Sequence, residues 1–191
     1  MIGLRLKSRG ACIRTERLDL IAGTLEMVRA EIHARRHFAE LLDAIVPAHW
    51  PPELNDEQSM AYGLRVLSEA PHQAGWWCWY FVLRQGPDGR RIVIGNGGIK
   101  GPPMEDGTVE VGYSLLNEFR GSGYATEAVR GLVGWAFEHE QVQRVIAETL
   151  PDITSSIRVL ERSGFRLIGD GAEPGVIRFE LSRASWKAEK I

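Results

Sequence analysis

Leu115-Leu116-Asn117-Glu118-Phe119-Arg120-Gly121-Ser122-Gly123-Tyr124-Ala125-Thr126-Glu127 joins two segments of different periodicity. Upstream, residues 108–116 read as a β-strand. Downstream, from Tyr124 to about His139, the period lengthens to that of a helix. Ala125, Ala128, Val129, Leu132, Val133, Ala136 and Phe137 recur at alternating spacings of three and one, which predicts an amphipathic helix. A helix N-terminus presents unpaired N–H groups and the positive end of a dipole. Glycines let the preceding backbone bend and approach a ligand closely. Together they make an anion site suited to a pyrophosphate, to which Arg120 adds charge and Ser122 and Thr126 add hydroxyl donors. Gly-x-Gly by itself equally describes a turn that binds nothing. The spacing is neither Gly-x-x-x-x-Gly-Lys-Ser/Thr nor Gly-x-Gly-x-x-Gly with a ribose-binding acid, which argues against a P-loop or a dinucleotide fold.

Outward from this junction, strands and helices alternate in the order of one mixed α/β domain, 1–191, with its core at about 15–182. A first strand is predicted over 17–22. A helix follows over 24–45, with Thr24 as N-cap and Pro47, Pro51 and Pro52 breaking it. A second helix is predicted over 56–70. Residues 76–84, dense in aromatic and β-branched side chains, read as a central strand. Its alternation puts Trp77, Trp79 and Phe81 on one face. Pro87-Asp88-Gly89 turns it into a hairpin with a strand starting at Arg91. Gly95, Gly97 and Gly98 predict a bulge or a close backbone approach. Beyond the junction come a strand at 144–149, a short helix at 155–163 stopped by Gly164, and strands at 165–168 and 175–181. The charged tail, 182–191, is expected to fray.

The 191 residues are 44% hydrophobic and 25% charged, with a net charge of -2. That balance gives no global electrostatic attraction to nucleic acid or to an anionic membrane. Cys12 and Cys78 make neither a disulfide framework nor a metal site, and fit free thiols in a reducing compartment. His33, His37, His49, His72 and His139 show no metal spacing. Residues 1–7 lack the apolar core of a signal peptide, and no uncharged stretch is long enough for a membrane helix. A cytoplasmic protein is expected.

Arg120-Gly121-Ser122-Gly123-Tyr124-Ala125 matches Arg/Gln-x-x-Gly-x-Gly/Ala, the acyl-CoA signature of the GNAT acetyltransferase superfamily, which this chain resembles. The longer string from Val111-Gly112-Tyr113 through Ala128 is similar to the RimJ/RimL branch, which acetylates ribosomal protein N-termini. Thr15-Glu16-Arg17-Leu18 resembles that branch's opening strand. Pro151-Asp152 through Ser163-Gly164-Phe165 resembles its last helix. The resemblance implies a central, twisted, mostly antiparallel sheet with a splayed parallel strand pair, flanked by helices. It implies acetyl-CoA in the splay, with pantetheine on the backbone near Leu115 and Leu116. The pyrophosphate would lie on Arg120, Gly121, Ser122, Gly123, Tyr124, Ala125 and Thr126. The chain departs from the pattern twice. Ile153 stands where many relatives have a pantetheine-binding Asn, and Leu160 where many have an acidic Tyr.

The reaction so implied is direct attack of a primary amine on the thioester, the amine being a protein N-terminus or a small molecule. The carbonyl oxygen gains negative charge, which an N–H of the strand at Leu115 and Leu116 can stabilise. Glu110 is the candidate base, or else a solvated or salt-bridged strand glutamate; Glu148 is the second choice. Ser156 either hydrogen-bonds the CoA sulfur or satisfies its own helix start. Tyr113 either lines the acceptor site or packs, and Trp50 is an acceptor-pocket candidate. The expected protein uses acetyl-CoA and an amine, holds no metal, binds neither nucleic acid nor membrane, and is a monomer or homodimer. The alternative is a non-catalytic acyl-CoA-binding or regulatory domain.

Overall fold

A computed structural model describes residues 10–53, 55 and 57–188. The leader reading of residues 1–7, the helix start at Asp56 and the last tail residues 189–191 lie outside the described residues. The chain runs through β1 (Cys12–Arg14), β2 (Leu18–Ala22), α1 (Leu25–His33), α2 (Arg35–Leu42), α3 (Glu57–Glu69), β3 (Trp79–Leu83), β4 (Ile92–Ile99) and β5 (Thr108–Leu115). It continues through α4 (Tyr124–Glu138), β6 (Arg144–Thr149), α5 (Thr154–Arg162), β7 (Arg166–Asp170), β8 (Ile177–Ser182) and α6 (Arg183–Ala188). The strands form one sheet in the order β1-β2-β3-β4-β5-β6-β8-β7. Every pairing is antiparallel except β5 with β6.

That parallel pairing is short. It joins Thr108, Val109 and Glu110 to Arg144, Val145 and Ile146. Beyond it β5 stays on β4 as far as Leu115, and β6 stays on β8 as far as Thr149. The two strands therefore part, leaving a wedge between residues 111–115 and 147–149. Backbone direction alternates along β5. Glu110 O accepts from Lys100 N–H at 2.8 Å, and Leu116 N–H donates to Ile94 O at 2.9 Å, so the even-numbered residues bond β4. Val111, Tyr113 and Leu115 turn their peptide groups to the wedge, where polar backbone groups need partners.

Cross-strand registers sort the side chains. Leu20, Phe81, Gly95 and Leu115 share one face, as do Trp79, Gly97 and Tyr113. α4 packs on this face: Trp135 lies 5.3 Å from Trp79, ring to ring. The opposite face carries Tyr80, Asn96, Ser114 and Glu110, with α1 and α2 over Tyr80. The strand glycines are steric requirements. A Cβ on Gly95 would sit 2.4 Å from Ser114 O, and one on Gly97 2.5 Å from Gly112 O. The register slips between Phe81 and Val82, opposite Ile94, giving the bulge expected here.

Four elements differ from the sequence expectation, beginning with β1 (Cys12–Arg14), which precedes the strand expected to be first. The helix over 24–45 breaks at Ala34 (φ -148, ψ 63), which lets both Met27 of α1 and Phe38 of α2 face the sheet. The strand over 76–84 starts only at Trp79, so Trp77 has no place in its alternation. The chain enters from a turn at Pro71–Gln73, and Trp77 O lies so close to Gly98 that a Cβ there would be 1.6 Å away. The tail, expected to fray from 182, continues as α6, pinned by buried Trp186 and by Arg183 on the carbonyls of Phe137, His139 and Val142.

Candidate active site

The wedge opens towards the loop that enters α4. Leu116 leads into a 3-10 turn, Asn117–Phe119, packed down by Phe119. Gly121 (φ 80) and Gly123 (φ 83) then adopt the left-handed conformation that side chains resist. Gly123 is the N-cap of α4, and no side chain caps that helix. Its first-turn N–H groups thus keep their donor capacity for a ligand. Residues 121–123 are exposed, while Tyr124, Ala125 and Thr126 are half-buried.

Arg120 donates through Nε to Leu115 O at 3.2 Å, and its guanidinium lies 3.5 Å from the Glu53 carboxylate. The cation is therefore at the mouth of the wedge, already near an exposed acid that an incoming anion would displace. Leu115 and Leu116 have buried side chains. Only Leu115 turns its N–H to the wedge, because that of Leu116 is spent on Ile94. This narrows the pair expected to stabilise an oxyanion to Leu115.

Glu110 sits where the strands part, on the face opposite α4. Its carboxylate is paired with the Lys100 ammonium, and the Lys100 stem passes 3.6 Å from where a Gly112 Cβ would lie. Glu148 shares that face. It is held by Arg178 at 2.7–2.8 Å and by the Ala172 N–H at 2.9 Å. Lys100 is exposed, whereas Arg178 is half-buried and a backbone N–H also holds Glu148, so Glu110 is the freer of the two acids.

Tyr113 and Ser156 meet across the wedge. The Tyr113 hydroxyl lies 3.1 Å from Ser156 Oγ and 3.2 Å from Ser156 O. Burial pushes the Tyr113 phenol up to about 12, against the opposing effect of Ser156, so it stays protonated at neutral pH. Ser156 lies in the first turn of α5, whose N-cap is Ile153. Leu160 is buried in the core and offers no proton.

Trp50 lies in a segment that runs past the loop, since His49 hydrogen-bonds Glu118 at 2.6 Å and Glu53 meets Asn117 and Arg120. It is buried against Phe38 and Tyr80, and its indole N–H donates to Glu31 at 2.8 Å. Glu31 also accepts from the Tyr80 hydroxyl at 2.7 Å and from Asn55 at 3.3 Å. Burial pushes the Glu31 carboxyl above the ordinary carboxylate range, and these three donors only partly offset it. Trp50 is thus a wall residue tied down by Glu31. Neither Glu31 nor Lys100 carries a local sequence signal: their partners are set by strand register and by a helix crossing the sheet. Among the described residues no cluster of His, Cys, Asp or Glu is arranged to hold a metal, and no helix is long and apolar enough to cross a membrane.

The fold is shared with known proteins. The family model for the acetyltransferase (GNAT) domain matches residues 24–166. The chain belongs to the GNAT acetyltransferase family and is an acetyl-transferring enzyme. It is 29% identical over 116 residues to the uncharacterized N-acetyltransferase YjdG of Bacillus subtilis (strain 168), covering 61% of this chain and 67% of that protein. Its fold matches the ribosomal-protein-S5-alanine acetyltransferase of Vibrio fischeri, with a TM-score of 0.60, 19% identity, and 92% and 98% of the two chains covered. It also matches the aminoglycoside acetyltransferase AAC(6')-Ib in complex with coenzyme A, with a TM-score of 0.59, 21% identity, and 91% and 99% covered.

Proposed function

We propose that the chain transfers the acetyl group of acetyl-CoA to a primary amine by direct attack. The observation that carries this reading is the wedge itself. Its unpaired strand backbone leads into an uncapped helix N-terminus through two left-handed glycines. A pantetheine arm has amides to pair with Val111, Tyr113 and Leu115. A pyrophosphate has the N–H groups of residues 121–126, and Arg120 once it leaves Glu53.

The acceptor amine approaches from the Glu110 face. Glu110, directly or through a water, takes the proton as the nitrogen attacks the thioester carbon. The carbonyl oxygen gains negative charge beside Leu115 N–H, a donor worth roughly 3–4 kcal/mol in the transition state. The C–N bond forms, the C–S bond breaks, and the CoA thiolate leaves. Ser156, backed by the Tyr113 hydroxyl, is the hydroxyl placed to hydrogen-bond that sulfur, in place of the Tyr that Leu160 replaces.

What supports a protein N-terminus as acceptor is the resemblance of Thr15-Glu16-Arg17-Leu18 and of the string from Val111 to Ala128 to the branch that acetylates protein N-termini. Protein N-termini and small amines are accordingly the two acceptor classes to test. Thiol release from acetyl-CoA is measured against a panel of N-terminal peptides and small amines, with mass detection of the acetylated product. Release matched by acetylated amine supports the proposal. Binding of CoA without turnover across both classes would instead favour a binding module.

A further inference from the structure

The N-terminal hairpin reaches the CoA loop from behind. Arg17 Nη1 donates to Ser122 O at 2.9 Å, Arg17 Nε donates to Glu127 Oε2 at 2.7 Å, and the guanidinium lies 4.4 Å from the centroid of the Tyr124 ring. Its Nη2 is 3.4 Å from where a Gly123 Cβ would sit. Glu127, in the first turn of α4, is itself fixed. Its Oε1 accepts from Arg17 N–H and from the Thr15 hydroxyl, both at 2.6 Å, and Thr15 Oγ1 accepts from Leu18 N–H at 3.1 Å.

A trans peptide is planar, so its C=O and N–H point in opposite directions. Holding Ser122 O therefore aims the N–H of Gly123, the other end of the same peptide, away from Arg17. Gly123 is the N-cap of α4, so this N–H stands at the uncapped start of the helix. Gly123 makes this peptide free to rotate, since the rotation runs through its φ and glycine tolerates both hands of φ. The loop's composition alone would leave the cradle floppy. Arg17 removes that freedom, and only an arginine's planar fork reaches a carboxylate and a carbonyl while stacking on an aromatic ring.

We infer that Arg17, oriented by Glu127 and Thr15, is a positioning residue that presets the Gly123 N–H for the CoA pyrophosphate. This rests on the proposed reading of the loop. It touches no reacting atom, so its effect belongs to the nucleotide half of CoA and not to the thioester.

S-acetylpantetheine, which lacks the pyrophosphate and nucleotide, separates the two. The test compares kcat/KM for acetyl-CoA with that for S-acetylpantetheine in the wild type and in Arg17→Met. The expected result is a roughly tenfold fall in the preference for acetyl-CoA, carried by KM. The conservative variant Arg17→Lys recovers part of it, and carries the same comparison if Arg17→Met does not fold. In wild-type protein labelled at glycine nitrogen, CoA shifts the Gly123 amide resonance strongly, and the variant weakens that shift. An unchanged preference, or equal losses on both substrates, overturns the role of Arg17. A wild type that neither binds nor uses acetyl-CoA overturns the reading of the loop instead.

Discussion

In the proposed reaction, Glu110 and Leu115 divide the chemistry between a side chain and a backbone group on the same strand. Strand alternation separates them: Leu115 N–H faces the wedge, while the Glu110 carboxylate lies on the face remote from α4. The thioester can therefore sit in the plane of the sheet while the amine arrives from below it. Substituting Glu110→Gln keeps the shape and removes the base. The expected outcome is a fall in kcat of about a hundredfold or more, with CoA affinity nearly unchanged. Steady-state kinetics with calorimetric titration of CoA checks this. An unaltered kcat would remove Glu110 as the base.

At the scale of elements, α1, the connection carrying Trp50, and β3 meet at the Glu31 carboxylate. Removing it in Glu31→Ala leaves the Trp50 N–H and the Tyr80 hydroxyl without their acceptor in a buried site. A loss of about 2 kcal/mol is expected, read as a lower urea midpoint at unchanged slope. The same scale shows what a sequence can tell. α4 was legible because its apolar face repeats within one helix, and the glycine loop because φ above zero demands glycine. The break at Ala34 was not, since alanine is a good helix former and only the need to turn Phe38 onto the sheet interrupts it. Residues Trp76 to Cys78 have strand-like composition, but their backbone is drawn off the ladder by packing against Gly98 and against Trp135 and His139. The Arg17–Glu127 contact joins residues 110 apart, so no local period announces it. Both strings were visible as motifs, but not as partners.

Across the whole molecule, two carboxylates tie distant segments together. Asp19 of β2 holds Arg84 and Arg91, and Glu127 of α4 holds Arg17 and Thr15. Burial raises both, but the arginines beside Asp19, and Thr15 with Arg17 beside Glu127, outweigh it and hold both below the ordinary carboxylate range. The sign follows from linkage. A lowered folded-state value stabilises the fold at pH above the unfolded value of about 4, and that contribution is lost as pH falls through the folded values. Glu31, raised by burial, has the opposite sign: its ionised form costs stability at neutral pH, and acid relieves that cost. Stability should therefore fall steeply below about pH 4, as the two lowered carboxylates protonate. Urea midpoints measured from pH 5 down to pH 2 check this, and a double variant Asp19→Asn, Glu127→Gln should show a flatter slope over that interval.

The wedge between β5 and β6, with the loop it feeds, is the centre of the account. Amide hydrogen exchange with and without CoA reads it directly. Bound CoA is predicted to protect the wedge-facing amides of residues 111–115 and the loop amides of residues 121–126. Amides of β4 and β8, already bonded in the sheet, should change little. Protection confined to another surface, or none at saturating CoA, would contradict the assignment of this wedge as the acetyl-CoA site.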